Sequence, residues 1–305
     1  MPVLAPIPSI RKGITMSVKM NAQCLACLFK RNVDAAAAFG TEEELLSFAK
    51  ELMKQYLTAP EGVSAPWFGP VTNELLCRHF GLERDRFRRE KADSNRFILE
   101  RMDAIRAKVT AAPDPVYAGL QFAVLGNYID FAALRGEVSF ARLDEMLESA
   151  LEMDLDRANY ASFCKELETG KKLLYVTDNA GEIGFDRIFA EELRKKFPHL
   201  EITFCVRGGP AANDATREDA AAVSIPFPVI DNGNLVAGTE LSLLGDEAKL
   251  AFDAADVILS KGQGNVETLL GCGYNIYYAF LIKCPLFEKR FHKKKLTPMF
   301  LKERP

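Results

Sequence analysis

Hydrophobic and polar positions follow one pattern before about residue 170 and another after it. In the first part, apolar residues recur at spacings of three and four, as in Ile98, Met102 and Ile105, and this periodicity predicts helices. In the second part, short apolar runs alternate with helical stretches, which indicates βαβ units. The predicted helices of the first part span 24–38, 41–58, 70–80, 85–111, 115–129 and 139–147; the predicted strands span 172–177, 201–206, 227–230, 256–260 and 275–282.

These elements predict an α/β protein with a helical N-terminal region. The C-terminal half is expected to be a doubly wound, mostly parallel, Rossmann-like domain. The predicted organisation is a loose leader over 1–19, a helical domain over 20–169 and an α/β domain that binds metal and phosphate over 170–305.

Composition and charge narrow the class of protein. The chain has 305 residues, is 48% hydrophobic and 27% charged, and carries a formal net charge of −3. This balance gives no reason to expect nucleic-acid binding, and the basic cluster over 289–295 is interpreted as a solvated tail. No apolar run approaches the roughly 20 residues of a membrane span, and residues 1–15 do not resemble a signal peptide. Seven cysteines without a disulfide-like spacing predict free thiols in a cytoplasmic protein. No pattern indicates an oligomeric state.

Acids and amides follow two of the predicted strands. Asp178 and Asn179 end the first strand, where the ligand crevice of an open α/β sheet lies. Carboxylate and amide oxygens suit a hard divalent cation, although a helix cap and a turn explain the pair equally well. Asp214, in the loop after the second strand, is a candidate third ligand, with a helix cap as the alternative.

Lysines follow two other strands. Lys261 precedes Gly262 and Gly264 at a predicted helix start, an arrangement that favours a phosphate. Lys283 ends the last strand. Because all these strand ends should face one crevice, the sequence predicts a site that holds a metal ion and a phosphate together.

Two further motifs have competing interpretations. Asn127 and Asp130 end a predicted helix, and the residues alone favour a capping turn over a role in the crevice. Cys24 and Cys27 are favoured as buried thiols, and a zinc site completed by Cys77 and His79 is the alternative.

At these motifs the chain resembles the metal-dependent damage-control phosphatases, a family once described as a domain of unknown function, and in particular its stand-alone prokaryotic branch with a C-x-x-C motif. The resemblance covers about residues 20–285. It is carried by segments at Cys24–Cys27, Gly126–Asp130, Asp178–Glu182, Asn213–Ala215 and Ser260–Asn265.

The resemblance implies hydrolysis of small phosphorylated metabolites such as sugar phosphates. It further implies a divalent cation, Mg²⁺, Mn²⁺, Co²⁺ or Ni²⁺, held by Asp178, Asn179 and Asp214. Phosphate would be bound by Lys261, Lys283 and the loop that contains Gly262, Gly264 and Asn265, and Asn127 would line the pocket.

Several mechanisms remain open at this stage. Asp178 or Glu182 would accept the proton of a metal-activated water, or Asp178 would itself be the nucleophile. A carboxyl methyltransferase that uses S-adenosylmethionine is the first alternative function. It is disfavoured because the first strand is followed by a single glycine and the second ends in Val206-Arg207. A non-catalytic module that binds metal or phosphate is the second alternative.

Overall fold

The computed structural model describes residues 18–134 and 138–303 and has an α/β architecture. The predicted loose leader lies outside the described residues, apart from Val18 and Lys19. Lys19 forms an antiparallel bridge with Ser64. Within the two described ranges, no helix is long and apolar enough to cross a membrane.

The N-terminal half is helical. Its helices are α1 (Ala22–Ala36), α2 (Glu42–Thr58), α3 (Gly69–Phe80), α4 (Arg88–Ala111), α5 (Pro115–Gly126), α6 (Phe131–Leu134), α7 (Phe140–Glu148) and α8 (Arg157–Thr169). The prediction omitted α8, although Tyr160, Phe163 and Leu167 have helical spacing and are buried on one face of it. It also extended α5 beyond Gly126, where the chain turns toward the sheet.

The C-terminal half contains the sheet. Its elements are β1 (Lys172–Val176), α9 (Glu182–Lys196), β2 (Glu201–Val206), α10 (Arg217–Ala222), β3 (Val229–Asp231), α11 (Asp246–Ala254), β4 (Val257–Lys261), α12 (Gln263–Leu269), β5 (Ile276–Leu281), α13 (Pro285–Phe291) and β6 (Pro298–Lys302). In the described residues the strands form one six-stranded sheet in the order β3-β2-β1-β4-β5-β6. All neighbouring strands are parallel except β5 and β6. The predicted Rossmann-like α/β fold is therefore confirmed.

Both faces of the sheet are covered. Along β1, Leu173 and Tyr175 face a core shared with helices α4, α5, α8 and α9. Leu174 and Val176 face the opposite core, which α11, α12 and α13 complete. This alternation follows from the two-residue repeat of a strand. Helices α1, α2 and α3 pack around a separate cluster. The secondary structure thus changes near residue 170, while one hydrophobic core continues across that point.

The interpretation of the basic cluster as a C-terminal tail is wrong. Lys289 and Arg290 belong to α13, and β6 follows them and pairs with β5. The lysines at 293–295 are exposed, as expected, but they lie in a turn between two ordered elements. Strand β6 was missed because it starts with Pro298, a residue that strands accept at an edge.

Candidate active site

The loops that follow β1 and β2 are joined at the switch point of the sheet, between β1 and β4, where ligands of such folds bind. The Ala215 N–H donates to the Asp178 carbonyl at 2.7 Å, and the Ala180 N–H donates to the Asn213 carbonyl at 2.9 Å. Asn179 and Asp214 form an antiparallel bridge. The structure therefore brings the three predicted metal ligands onto two loops that are held together by backbone hydrogen bonds.

A buried arginine lies between the two acids of this set. Arg207, 1% exposed, follows β2. Its Nε donates to Asp214 Oδ2 at 2.6 Å, and its Nη2 lies 3.9 Å from Asp178 Oδ1. Nη2 also donates to Asn265 Oδ1 at 3.2 Å. Sequence reasoning missed Arg207 as a site residue, although its place immediately after a strand was a usable signal.

Asn127 reaches the crevice from the helical half of the chain. Its Nδ2 donates to Asp178 Oδ2 at 2.9 Å and to Glu182 Oε2 at 3.0 Å. Its Oδ1 accepts from the Leu281 N–H at 3.0 Å, so it also ties α5 to β5. This approach requires Gly126, because a Cβ there would lie 2.7 Å from the Phe185 ring. Asn127 does cap α5, but the capping turn favoured by the residues alone is an incomplete account.

Lys283 and Asp130 form an ion pair next to these groups. Lys283 Nζ donates to Asp130 Oδ2 at 2.6 Å, and the lysine side chain is 1% exposed. Burial lowers the pKa of Lys283, but the carboxylates of Asp130, Asp178 and Glu182 together raise it above its ordinary value. Lys283 is therefore a charged group that follows β5, at the same carboxyl edge of the sheet as Asp178.

Glu182 and Lys261 occupy the interior of the site. Glu182, the first residue of α9, is fully buried, and its Oε2 accepts from Asn179 Nδ2 at 2.7 Å. Its Oε1 accepts from Lys261 Nζ at 2.7 Å. Lys261 also donates to Asp186 Oδ1 at 2.8 Å and to the Ala123 carbonyl at 2.7 Å. The three donors of this amine are thus directed at protein acceptors.

The glycine after β4 passes directly over the Asp178 carboxylate. Gly262 has φ 79° and ψ 157°, a combination found almost exclusively in glycine. A Cβ at this position would lie 1.9 Å from Asp178 Oδ2. The glycine-rich loop, which the sequence predicts to be a phosphate cradle, therefore limits where the Asp178 carboxylate can lie. Asn265, in the first turn of α12, donates to the carbonyls of Thr177 and Lys261 at 3.0 and 2.7 Å, which fixes this loop against β1.

Burial, and to a lesser extent the crowding of carboxylates, raises the pKa values of three acids in the site. Burial raises the pKa of Asp178 well above its ordinary value, and the charges of Asp214 and Glu182 raise it further. Burial also raises the pKa of Asp214 to about 6, although Arg207 opposes the shift. The same cause raises the pKa of Asp186 to about 7, against the effect of Lys261. Such shifts are typical of functional sites.

The site has an excess of negative charge that a divalent cation would balance. Its ion pairs join five carboxylates to three cations, which leaves a formal charge of −2. The carboxylates belong to Asp130, Asp178, Glu182, Asp186 and Asp214, and the cations are Arg207, Lys261 and Lys283. In the part of the chain that the structure describes, no three His, Cys, Asp or Glu side chains are grouped as metal ligands. The predicted set has two carboxylates and an amide, so it fits a hard cation without such a group.

The C-x-x-C motif lies apart from this network. Cys24 is partly buried in the first turn of α1, and Cys27 is exposed. The interpretation as buried thiols is therefore wrong for Cys27. His79, proposed as a partner in the alternative zinc site, instead pairs with Glu51 at 2.9 Å.

The fold and the site define an α/β protein with a buried cluster of acids at the switch point of a Rossmann-like sheet. Residues 20–296 match the profile of the damage-control phosphatase ARMT1-like domain. The chain belongs to this family, which confirms the resemblance found in the sequence.

Individual relatives agree with this assignment. A damage-control phosphatase of Pyrococcus horikoshii is 32% identical over 279 residues, which cover 88% of this chain and 92% of that protein. An uncharacterized protein of Methanocaldococcus jannaschii is 31% identical over 284 residues, 88% of this chain and 90% of that protein. The crystal structure of a DUF89 family protein from Pyrococcus horikoshii superimposes with a TM-score of 0.79 at 28% identity, covering 94% of this chain and 99% of that one.

Proposed function

We propose that this protein is a metal-dependent phosphatase that hydrolyses small phosphorylated metabolites, with sugar phosphates as the expected substrate class. Family membership and the name of the Pyrococcus horikoshii relative, a damage-control phosphatase, support a phosphatase role. The observation that carries the proposal is the meeting of Asp178, Asn179, Asp214 and Lys283 at the carboxyl edge of one sheet. Acids that could bind a cation and a lysine that could bind a phosphate thus lie in one buried cluster.

Asp178, Asn179 and Asp214 would hold the divalent cation. Burial raises the pKa of Asp178 and the charges of Asp214 and Glu182 raise it further, and a positive charge between the carboxylates would relieve their repulsion. Such a cation supplies polarisation of a phosphoryl oxygen and a more acidic bound water. Arg207 holds Asp214 in place through its Nε, so one oxygen of this carboxylate is oriented before a ligand arrives.

The remaining groups have separate roles in the proposed reaction. Lys283 would bind the phosphate, and its pair with Asp130 fixes the position of the buried amine. Glu182 would accept the proton of the attacking water. Both of its oxygens accept hydrogen bonds from N–H donors, so the carboxylate is held in one orientation. Asn127 would hold Asp178 and Glu182 at a fixed separation, because one amide group donates to both.

The experiment measures phosphate release from p-nitrophenyl phosphate and a panel of sugar phosphates. The protein is first stripped of metal and then given Mg²⁺, Mn²⁺, Co²⁺ or Ni²⁺. Asp178→Ala is assayed beside wild type and beside Asp103→Ala, because Asp103 lies on α4 with a fully exposed side chain. We expect metal-dependent release by wild type and Asp103→Ala, and none by Asp178→Ala. A folded wild-type protein that releases no phosphate with any of these metals would refute the proposal for these substrates.

A further inference from the structure

Lys261, which the sequence predicts to bind phosphate, is surrounded in the structure by hydrogen-bond acceptors of the protein itself. Lys261 is fully buried, and so are its partners Glu182 and Asp186. The Nζ–acceptor distances are 2.7 Å to Ala123 O, 2.7 Å to Glu182 Oε1 and 2.8 Å to Asp186 Oδ1. A lysine ammonium has three N–H donors. A phosphate oxygen would therefore bind Lys261 only by displacing one of these contacts.

Asp186 contacts the lysine directly, and Tyr175 contacts Asp186. Asp186 lies one helical turn after Glu182 on α9, so the two carboxylates are on the same face of the helix. The Tyr175 hydroxyl, from the central strand β1, donates to Asp186 Oδ1 at 2.7 Å. Asp186 Oδ2 has no hydrogen-bond partner among the described residues. A buried carboxylate is costly unless it is paired, so the contact with Lys261 is what makes Asp186 tolerable there.

Glu182 is the link from this pair to the proposed chemistry. Its Oε1 binds Lys261, while its Oε2 accepts from Asn127 and Asn179 next to Asp178. The direction of the Glu182 carboxylate therefore depends on contacts at both oxygens. Among these donors, Lys261 is charged, whereas Asn127 and Asn179 donate from neutral amides.

We infer that Lys261 is a positioning residue for Glu182, and that Asp186 and Tyr175 hold Lys261 in this role. The inference rests on the proposed phosphatase function and departs from the prediction that Lys261 contacts phosphate. It assigns function to Asp186 and Tyr175, two residues outside the motifs that resemble the family. Phosphate binding is left to Lys283 and its neighbours.

The test separates turnover from phosphate binding. Lys261→Met is compared with Lys283→Met in p-nitrophenyl phosphate hydrolysis, in inhibition by inorganic phosphate and in calorimetric binding of inorganic phosphate. For Lys261→Met we expect kcat to fall about 100-fold, the scale of a general base, with phosphate affinity within about threefold of wild type. For Lys283→Met we expect phosphate affinity to fall at least about tenfold. A tenfold loss of phosphate affinity in Lys261→Met, or an unchanged kcat, would overturn the inference.

A double-mutant comparison distinguishes positioning from a general loss of structure. If Lys261 acts through Glu182, adding Lys261→Met to Glu182→Gln lowers kcat no further, because the group that it positions is already disabled. If the losses of kcat in the two single variants instead multiply in the double variant, the inference is contradicted. Asp186→Asn, which is isosteric, and Tyr175→Phe carry the same comparison if Lys261→Met does not fold. Each is expected to lower kcat without changing phosphate affinity.

A measurement without turnover separates this inference from the proposed function. In thermal unfolding, Asp186→Asn should restore part of the midpoint lost in Lys261→Met, because the unpaired buried charge is removed. Additive losses would refute the contact on which the inference depends. An inactive wild type with this coupling intact would count against the phosphatase proposal while supporting the contact between Lys261 and Asp186.

Discussion

Gly262→Ala tests whether the loop after β4 sets the position of the Asp178 carboxylate. The added Cβ would lie 1.9 Å from Asp178 Oδ2 and 2.1 Å from its Cγ. Real Cβ contacts are essentially never shorter than 3.0 Å, so the carboxylate or the loop must move by at least about 1.1 Å, the difference between 3.0 and 1.9 Å. The backbone strain of alanine at φ 79° and ψ 157° adds to this.

The expected effects follow from these distances. A displacement of about 1 Å at a reacting group costs on the order of 100-fold in rate, so kcat for p-nitrophenyl phosphate should fall about 100-fold or more. Backbone strain of this kind costs about 1–3 kcal/mol, and overpacking costs about 1–3 kcal/mol more. The free energy of unfolding should therefore fall by about 2–6 kcal/mol in total.

A matched control separates the contact with Asp178 from the backbone conformation. Gly273 also has a positive φ, 87°, but no atom lies within 4 Å of the point that a Cβ would occupy there. Gly273→Ala should lose about 1–2 kcal/mol of stability from strain alone and keep kcat. Both variants are assayed with the preferred metal and unfolded in urea. Equal kcat values in Gly262→Ala and Gly273→Ala would refute the reasoning that Gly262 positions Asp178.

Three further predictions concern the surroundings of the site. Burial raises the pKa of Asp186 from 3.8 to about 7. The folded state therefore binds the Asp186 proton more tightly than the unfolded state does, and the stability that this proton contributes is lost as pH rises from about 4 to 7. Urea unfolding of Asp186→Asn should show this pH dependence reduced by up to about 4 kcal/mol, and an unchanged dependence would count against the burial argument. Arg207→Met should lose about 3–5 kcal/mol because it leaves buried acids unpaired, whereas Arg84→Met, at an exposed ion pair, should change stability by less than about 1 kcal/mol; similar losses would contradict the role of burial. Gly126→Ala, with a Cβ 2.7 Å from the Phe185 ring, should lose about 1–3 kcal/mol of unfolding free energy, and an unaffected protein would show that α5 and α9 separate easily.

The strand-end positions were predictable because a parallel sheet places all its carboxyl ends at one edge. Asp178 and Asn179 follow β1, Asp214 lies in the loop after β2, and Lys283 follows β5. Their proximity therefore follows from local pattern and topology, without knowledge of side-chain packing. Their roles as metal and phosphate ligands remain predictions.

The role of Lys261 illustrates the limit of this reasoning. A lysine before a glycine-rich turn predicts a phosphate contact, but the sequence does not reveal which acceptors surround the amine. The acceptors come from Ala123 on α5 and from Glu182 and Asp186 on α9. Residues 138 positions apart in the chain meet only when α5 and α9 pack on the sheet, so this contact is set by tertiary structure.

The sequence by itself determined the α/β class, the change from helices to strands near residue 170 and the positions of the acids at the strand ends. These features depend on local periodicity and on the geometry of parallel strands. Only the tertiary structure placed Arg207 between Asp178 and Asp214, gave the helix cap Asn127 a second contact with Asp178 and added β6 to the sheet. These features depend on packing between distant segments, where burial and charge pairing decide which polar groups meet.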